Sequence, residues 1–238
     1  MPGATSQPSA SGESAASPSR RRLLAGAGLA TTAGLTLGAP GIAEAGGPRR
    51  RVAVGPEGGT VVEFRGRIAQ TGSSGEVFTS IGYLIRATGA RSSDLFAAGA
   101  PSQTTALFTA YATGDLSARV LDQSVHSLDI VGQLTVYQRS APGADWANPA
   151  SFTVGTAVAR FDLRLQDVLA VFAPGQGLPT LTGDMVQTSA GALGGGLAGA
   201  AFGQEGQRLR MFAAGLGTLV DPVTLNANLE IAGNWSAE

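Results

Sequence analysis

The chain has 238 residues with 16 basic and 17 acidic side chains, a formal net charge of −1. Every basic residue is arginine, and apart from two short clusters they are scattered, which argues against the basic face that nucleic-acid binding requires. There is no cysteine. That excludes disulfide staples, a thiol nucleophile and a lipid-modified cysteine, so stability has to come from packing and backbone pairing.

Residues 1–18 are rich in Ser, Pro, Gly and Ala and are expected to be disordered. Ser19-Arg20-Arg21-Arg22-Leu23-Leu24 then forms a twin-arginine pattern, followed by an uncharged run to Ala43 and an A-x-A cleavage site at Ala43-Glu44-Ala45. A membrane anchor would need roughly 20 strongly apolar residues. Here glycine, threonine and Pro40 dilute the run, so residues 1–45 read as a cleaved twin-arginine signal peptide, and the protein is expected to be secreted or periplasmic with no membrane segment afterwards. Residues 46–59, Gly/Pro-rich and carrying Arg49-Arg50-Arg51, read as a flexible mature N-terminus, and residues 60–238 as one domain.

From Thr60 to Gln70, Val62, Phe64, Gly66 and Ile68 alternate with Val61, Glu63, Arg65 and Arg67, the pattern of a half-buried strand. Residues 71–75 turn the chain, and 76–88 return as the second arm of a hairpin. Residues 89–103 are expected to be a loop with a short helical turn at Asp94-Leu95-Phe96. Residues 104–138 read as three strands, with turns at Gly114-Asp115 and at Asp122-Gln123. A long connection follows at 140–151, then a strand at 156–165 and a further strand or short helix at 168–172. Residues 181–188 form another strand, and 189–203 a glycine-rich segment. Strand material continues at 208–214 and 215–220, and residues 223–232 close the chain. Eight or nine strands with no long helix make an all-β fold, and two well-patterned terminal strands favour closure into an antiparallel eight- to nine-stranded barrel over open edges.

The run Gly203-Gln204-Glu205-Gly206-Gln207-Arg208-Leu209-Arg210-Met211-Phe212-Ala213-Ala214-Gly215 resembles, with one inserted residue, the G-T-G-x-F-R-x-A-x-G strand pair of dirigent proteins and the related allene oxide cyclases. Val61-Val62-Glu63-Phe64 and Gly82-Tyr83-Leu84 are similar to the same group in order and spacing. The resemblance implies a calycin-like barrel, often trimeric, whose hollow holds a small apolar molecule and steers a reactive intermediate. It places Glu63 on a first-strand glutamate of the cyclases and Arg210 on a motif arginine; the second motif arginine is Ala214 here.

His126 is the only histidine, so acid-base work near neutral pH falls to it or to a carboxylate with a raised pKa. By parity it shares a face with Leu128, Ile130 and Leu134; it is a proton shuttle if it meets a ligand and a hydrogen-bonded core residue if it does not. Glu63 is a general base if its face lines the lumen and an ordinary exterior charge if it faces solvent. Tyr83, Tyr111 and Arg210 are candidate polar contacts for a ligand and Phe108 an apolar wall, against the plainer role of aromatics in strand packing. No metal-ligand spacing, nucleophile elbow or phosphate loop is present, and no cofactor is expected. The sequence therefore supports an exported barrel that binds a small hydrophobic or aromatic molecule, with catalytic roles assigned to Glu63 and His126. The alternative is a non-catalytic carrier, cell-surface or interaction protein.

Overall fold

A computed structural model describes residues 50–238 except 219, 222 and 225. The expected signal peptide, residues 1–45, lies outside the described residues. In chain order the elements are β1 (Arg51–Val52), β2 (Thr60–Thr71), β3 (Val77–Ala87), helix α1 (Ser92–Leu95), β4 (Phe108–Asp122), β5 (Val125–Gln138), β6 (Thr156–Ala173), β7 (Gln176–Ala190), β8 (Ala201–Phe202), β9 (Arg208–Thr218) and β10 (Ala227–Ala237). Two short 3-10 turns, Pro149–Thr153 and Gly195–Leu197, complete them.

The period-two alternation decides the architecture. Eight strands close into one barrel in the order β10-β2-β3-β4-β5-β6-β7-β9, every neighbouring pair antiparallel. The seam joins the first and last barrel strands, with Val62 opposite Trp235 and Ile68 opposite Leu229. Closure removes both edges that these strands would otherwise expose. The apolar set of each strand points inward: Val62, Phe64 and Ile68 on β2, Leu128, Ile130 and Leu134 on β5, Phe161, Leu163 and Leu165 on β6, all buried. A ring of eight strands is just wide enough for such side chains to fill it.

The tight turns at 72–76, 123–124 and 174–175 lie at one end, the hairpin end, where β9 ends and β10 begins. The long connections gather at the other. There the chain from Arg139 to Gly155 folds back over the outer face of β3 and β4. Thr109 donates a hydrogen bond to the Phe152 carbonyl at 2.7 Å, and Arg139 donates to the carbonyls of Ala141 and Ser151. Ile81, Ala144 and Phe152 make a small second core outside the barrel wall, with Tyr111 and Trp146 packed on it.

Several expectations change. Residues 104–138 form two long strands rather than three, because Gly114-Asp115 is no turn. Gly114 faces Gly132 across β4 and β5, and a Cβ on Gly132 would collide with the Thr113 carbonyl, so the pair lets the two backbones approach closely. The irregularity lies slightly later, as a bulge between Leu116 and Ala118. Likewise 156–165 and 168–172 are one strand of 18 residues, β6. Residues 208–220 hold one strand that ends at Thr218, and the last strand starts at Ala227 rather than Val223. Residues 51–52, read as part of a flexible lead, pair in parallel with β8, and Val52 and Ala53 are buried.

Candidate functional site

The six residues singled out from the sequence do not converge. Glu63 is on the outer face of β2, with its carboxylate 3.0 Å from the Arg86 guanidinium and its side chain 41% exposed. That is the solvated cross-strand ion pair that the apolar partner face of Val62 and Phe64 requires, so the general-base role for Glu63 does not fit its place. Arg210 is on the outer face of β9, 3.6 Å from both Asp184 and Glu238. Tyr83 and Tyr111 also face outward. Tyr83 is covered by Phe96, just after α1, and by Trp146 of the 139–155 loop, at ring-centroid distances of 6.1 and 6.0 Å, and Tyr111 packs on the small core that this loop forms. Phe108 points inward at the loop end and packs on Phe202, 6.2 Å between centroids. Only His126 and Phe108 of the six lie inside the barrel.

The lumen itself holds a cavity of about 30 Å³. It exists because three adjacent strands bring almost no side chain to the same level. Gly66 on β2 faces Gly82 on β3, which faces Ala110 on β4. A Cβ on Gly82 would stand 2.7 Å from the Arg65 carbonyl oxygen, so the backbones approach closely where side chains are missing. The facing walls are apolar, among them Phe64, Phe78, Leu134, Leu163 and Met211, with Trp235 at the seam. The Trp235 indole lies between Phe64 and Phe161, at 5.8 and 5.7 Å, and its Nε1 has no hydrogen-bond partner among the described residues. Buried indole nitrogens ordinarily have one. The cavity lining carries no charged side chain among the described residues.

One layer below this cavity, toward the hairpin end, are two ionisable side chains. Asp167 follows Leu165 on the inner face of β6 and faces Leu181 on β7, and both leucines line the cavity. It is 1% exposed, and its Oδ1 has no partner. Burial pushes its carboxyl up to about 7, against the opposing effect of a backbone hydrogen bond from Thr180. His126 faces Leu169, while Asp167 faces Leu128, so the two occupy diagonal positions on the paired inner faces of β5 and β6. No hydrogen bond joins His126 Nδ1 and Asp167 Oδ1. His126 is 3% exposed and its Nδ1 is unpaired. Two buried side chains on adjacent strands, each with one unpaired polar atom, are unusual, since an unsatisfied buried group costs about 1–3 kcal/mol.

Asp167 was missed from the sequence, yet the signal was there. Extending the odd-numbered inner face of β6, Phe161, Leu163 and Leu165, by one step lands on it. A strand ended at Leu165 hides that step. Among the described residues, no group of three or more His, Asp or Glu side chains could hold a metal ion. No family model, curated protein or solved structure matches this chain.

Proposed function

We propose that the protein is an exported carrier whose barrel encloses a small, uncharged, largely apolar molecule. The observation that carries this reading is the apolar cavity opened by Gly66, Gly82 and Ala110, with the indole nitrogen of Trp235 free to donate one hydrogen bond. Absence of charge in the lining fits an uncharged guest, because an ion there would lose its hydration without a counter-charge. The cavity of about 30 Å³ admits only a few heavy atoms as it stands. Larger guests need repacking of unbranched Met211, the most adaptable side chain in the wall. Binding is favoured over chemistry because Glu63, Arg210 and Tyr111 all lie away from this space. A second reading, a filled barrel acting through its surface, is favoured by the small volume alone.

The test is native mass spectrometry of the protein purified from the organism that makes it, alongside 129Xe NMR of the same protein. A retained small molecule, or a xenon shift that vanishes in Ala110→Leu while the fold survives, is the expected result. Overpacking by that substitution costs about 1–3 kcal/mol, which a barrel of this size should tolerate. An empty protein insensitive to xenon would favour the surface reading.

A further inference from the structure

We propose that the outer wall of β5, β6, β7 and β9 at the hairpin end is a contact surface for a second copy of this chain, the two copies related by a two-fold axis. The strands of a filled barrel should turn polar residues outward, and β6 does so only along half its length. Its outward set runs Arg160, Asp162, Arg164 and then, toward the turn, Gln166, Val168 and Phe172. β9 and β7 make the same change, with Phe212 and Leu216 on one and Leu178 on the other, and Val125 of β5 completes the set. These six apolar side chains are between 39% and 58% exposed. Pairing makes them one patch. Val125 faces Ala170, which faces Leu178, and in the next row Ser127 faces Val168, Val168 faces Thr180 and Thr180 faces Ala214. Neither row holds a charge on these four strands. A contiguous exposed apolar patch marks an interaction site, and because the ring is closed these strands offer a partner their face and no edge.

Charge decides the occupant. Beside the patch, Asp129, Arg164, Asp184 and Arg210 surround a notch of about 190 Å³ over Gly183. Two carboxylates and two guanidinium groups leave it without net charge. Arg210 is shared between Asp184 and Glu238 at 3.6 Å, while Arg164 and Asp129 have no salt bridge among the described residues. A two-fold contact sets such a surface against itself, so that every contact occurs twice and each unpaired charge can meet its opposite on the other copy. An apolar centre beside an arginine-bearing polar rim is also the make-up of a protein interface. An anionic lipid surface would instead require a basic rim, and the turns of this end carry the carboxylates of Glu76, Asp122 and Asp221.

The test is sedimentation velocity of the purified protein over a concentration series, which does not depend on any guest in the cavity. One chain should pass to two as concentration rises. Phe212→Ser and Leu178→Ser, each checked for fold by circular dichroism, should weaken the dimer at least about tenfold, as central apolar contacts do. Arg164→Asp with Arg210→Asp makes the notch acidic, and Asp129→Arg with Asp184→Arg makes it basic. Each charge variant alone should remain a single chain, and an equimolar mixture of the two should dimerise. A single chain at every concentration, an assembly of three or more chains, or charge variants that stay apart when mixed would overturn the proposal. So would a protein that binds phosphatidylcholine–phosphatidylglycerol vesicles while remaining a single chain in solution, which would assign the face to lipid. Should a charge variant fail to fold, hydrogen exchange of the wild type decides: protection that grows with concentration is expected at residues 166–172, 178–184 and 212–216, and growth only elsewhere would overturn it.

Discussion

Asp167 makes the stability of the fold depend on pH. Its folded carboxyl holds a proton up to about pH 7, whereas in the unfolded chain it releases it near 3.8. The folded state therefore binds more protons between those values, and stability must fall as pH rises through them. A tenfold change in proton affinity is worth about 1.4 kcal/mol, so the carboxylate of a group this buried costs roughly 4 kcal/mol above pH ~7. Asp167→Asn is expected to raise the urea midpoint at pH 8 and to leave it nearly unchanged at pH 4, a difference that denaturation at the two pH values measures. Glu76 behaves oppositely. The amides of Ser74, its own residue and Ser73 hold its carboxyl down to about 2, but it is fully exposed and governs only its own turn. At this scale the sequence was half legible. Parity placed His126 inside correctly. It also left Glu63 on the face opposite Phe64, where a charge is solvated.

Among the elements, the long strands depend on glycines whose purpose only the partner strand reveals. Gly114-Asp115 looks like a turn in isolation, and the chain runs straight through it. Gly132, eighteen residues on, is what it faces. Gly132→Ala places a methyl group against the Thr113 carbonyl, and the strands must separate to admit it. We expect a loss of about 1–3 kcal/mol, comparable to other overpacking changes, whereas Gly175→Ala meets no atom and is limited to the cost of its positive φ. Thermal melts of the two variants check the comparison. The 139–155 loop was opaque for a related reason. Its turn-forming residues announced a connection, while Trp146 and Phe152, packed 4.9 Å apart, seal Tyr83 and Tyr111 against the wall. A pattern that reports which face is apolar cannot report what covers the other.

For the molecule as a whole, alternation in the first and last barrel strands was enough to imply closure, because two long apolar-faced edges have no other good outcome in a single domain. The lumen was less legible, since register decides whether Gly66, Gly82 and Ala110 coincide, and register depends on pairing. The proposed export rests on the twin arginines. Replacing Arg20 and Arg21 by lysine should keep a reporter fused to residues 1–59 inside the cell, and fractionation measures this directly; unimpaired export would remove the twin-arginine reading while leaving the barrel untouched.

The seam between β2 and β10 has one further consequence. On one side Val62 pairs with Ala87 of β3, but on the other its partner is Trp235 of β10, so nothing made before β10 can complete the ring. During synthesis every intermediate length of chain leaves β2 with one open side. Only a chain that reaches β10 has none, so a product interrupted before β10 keeps an open edge on β2.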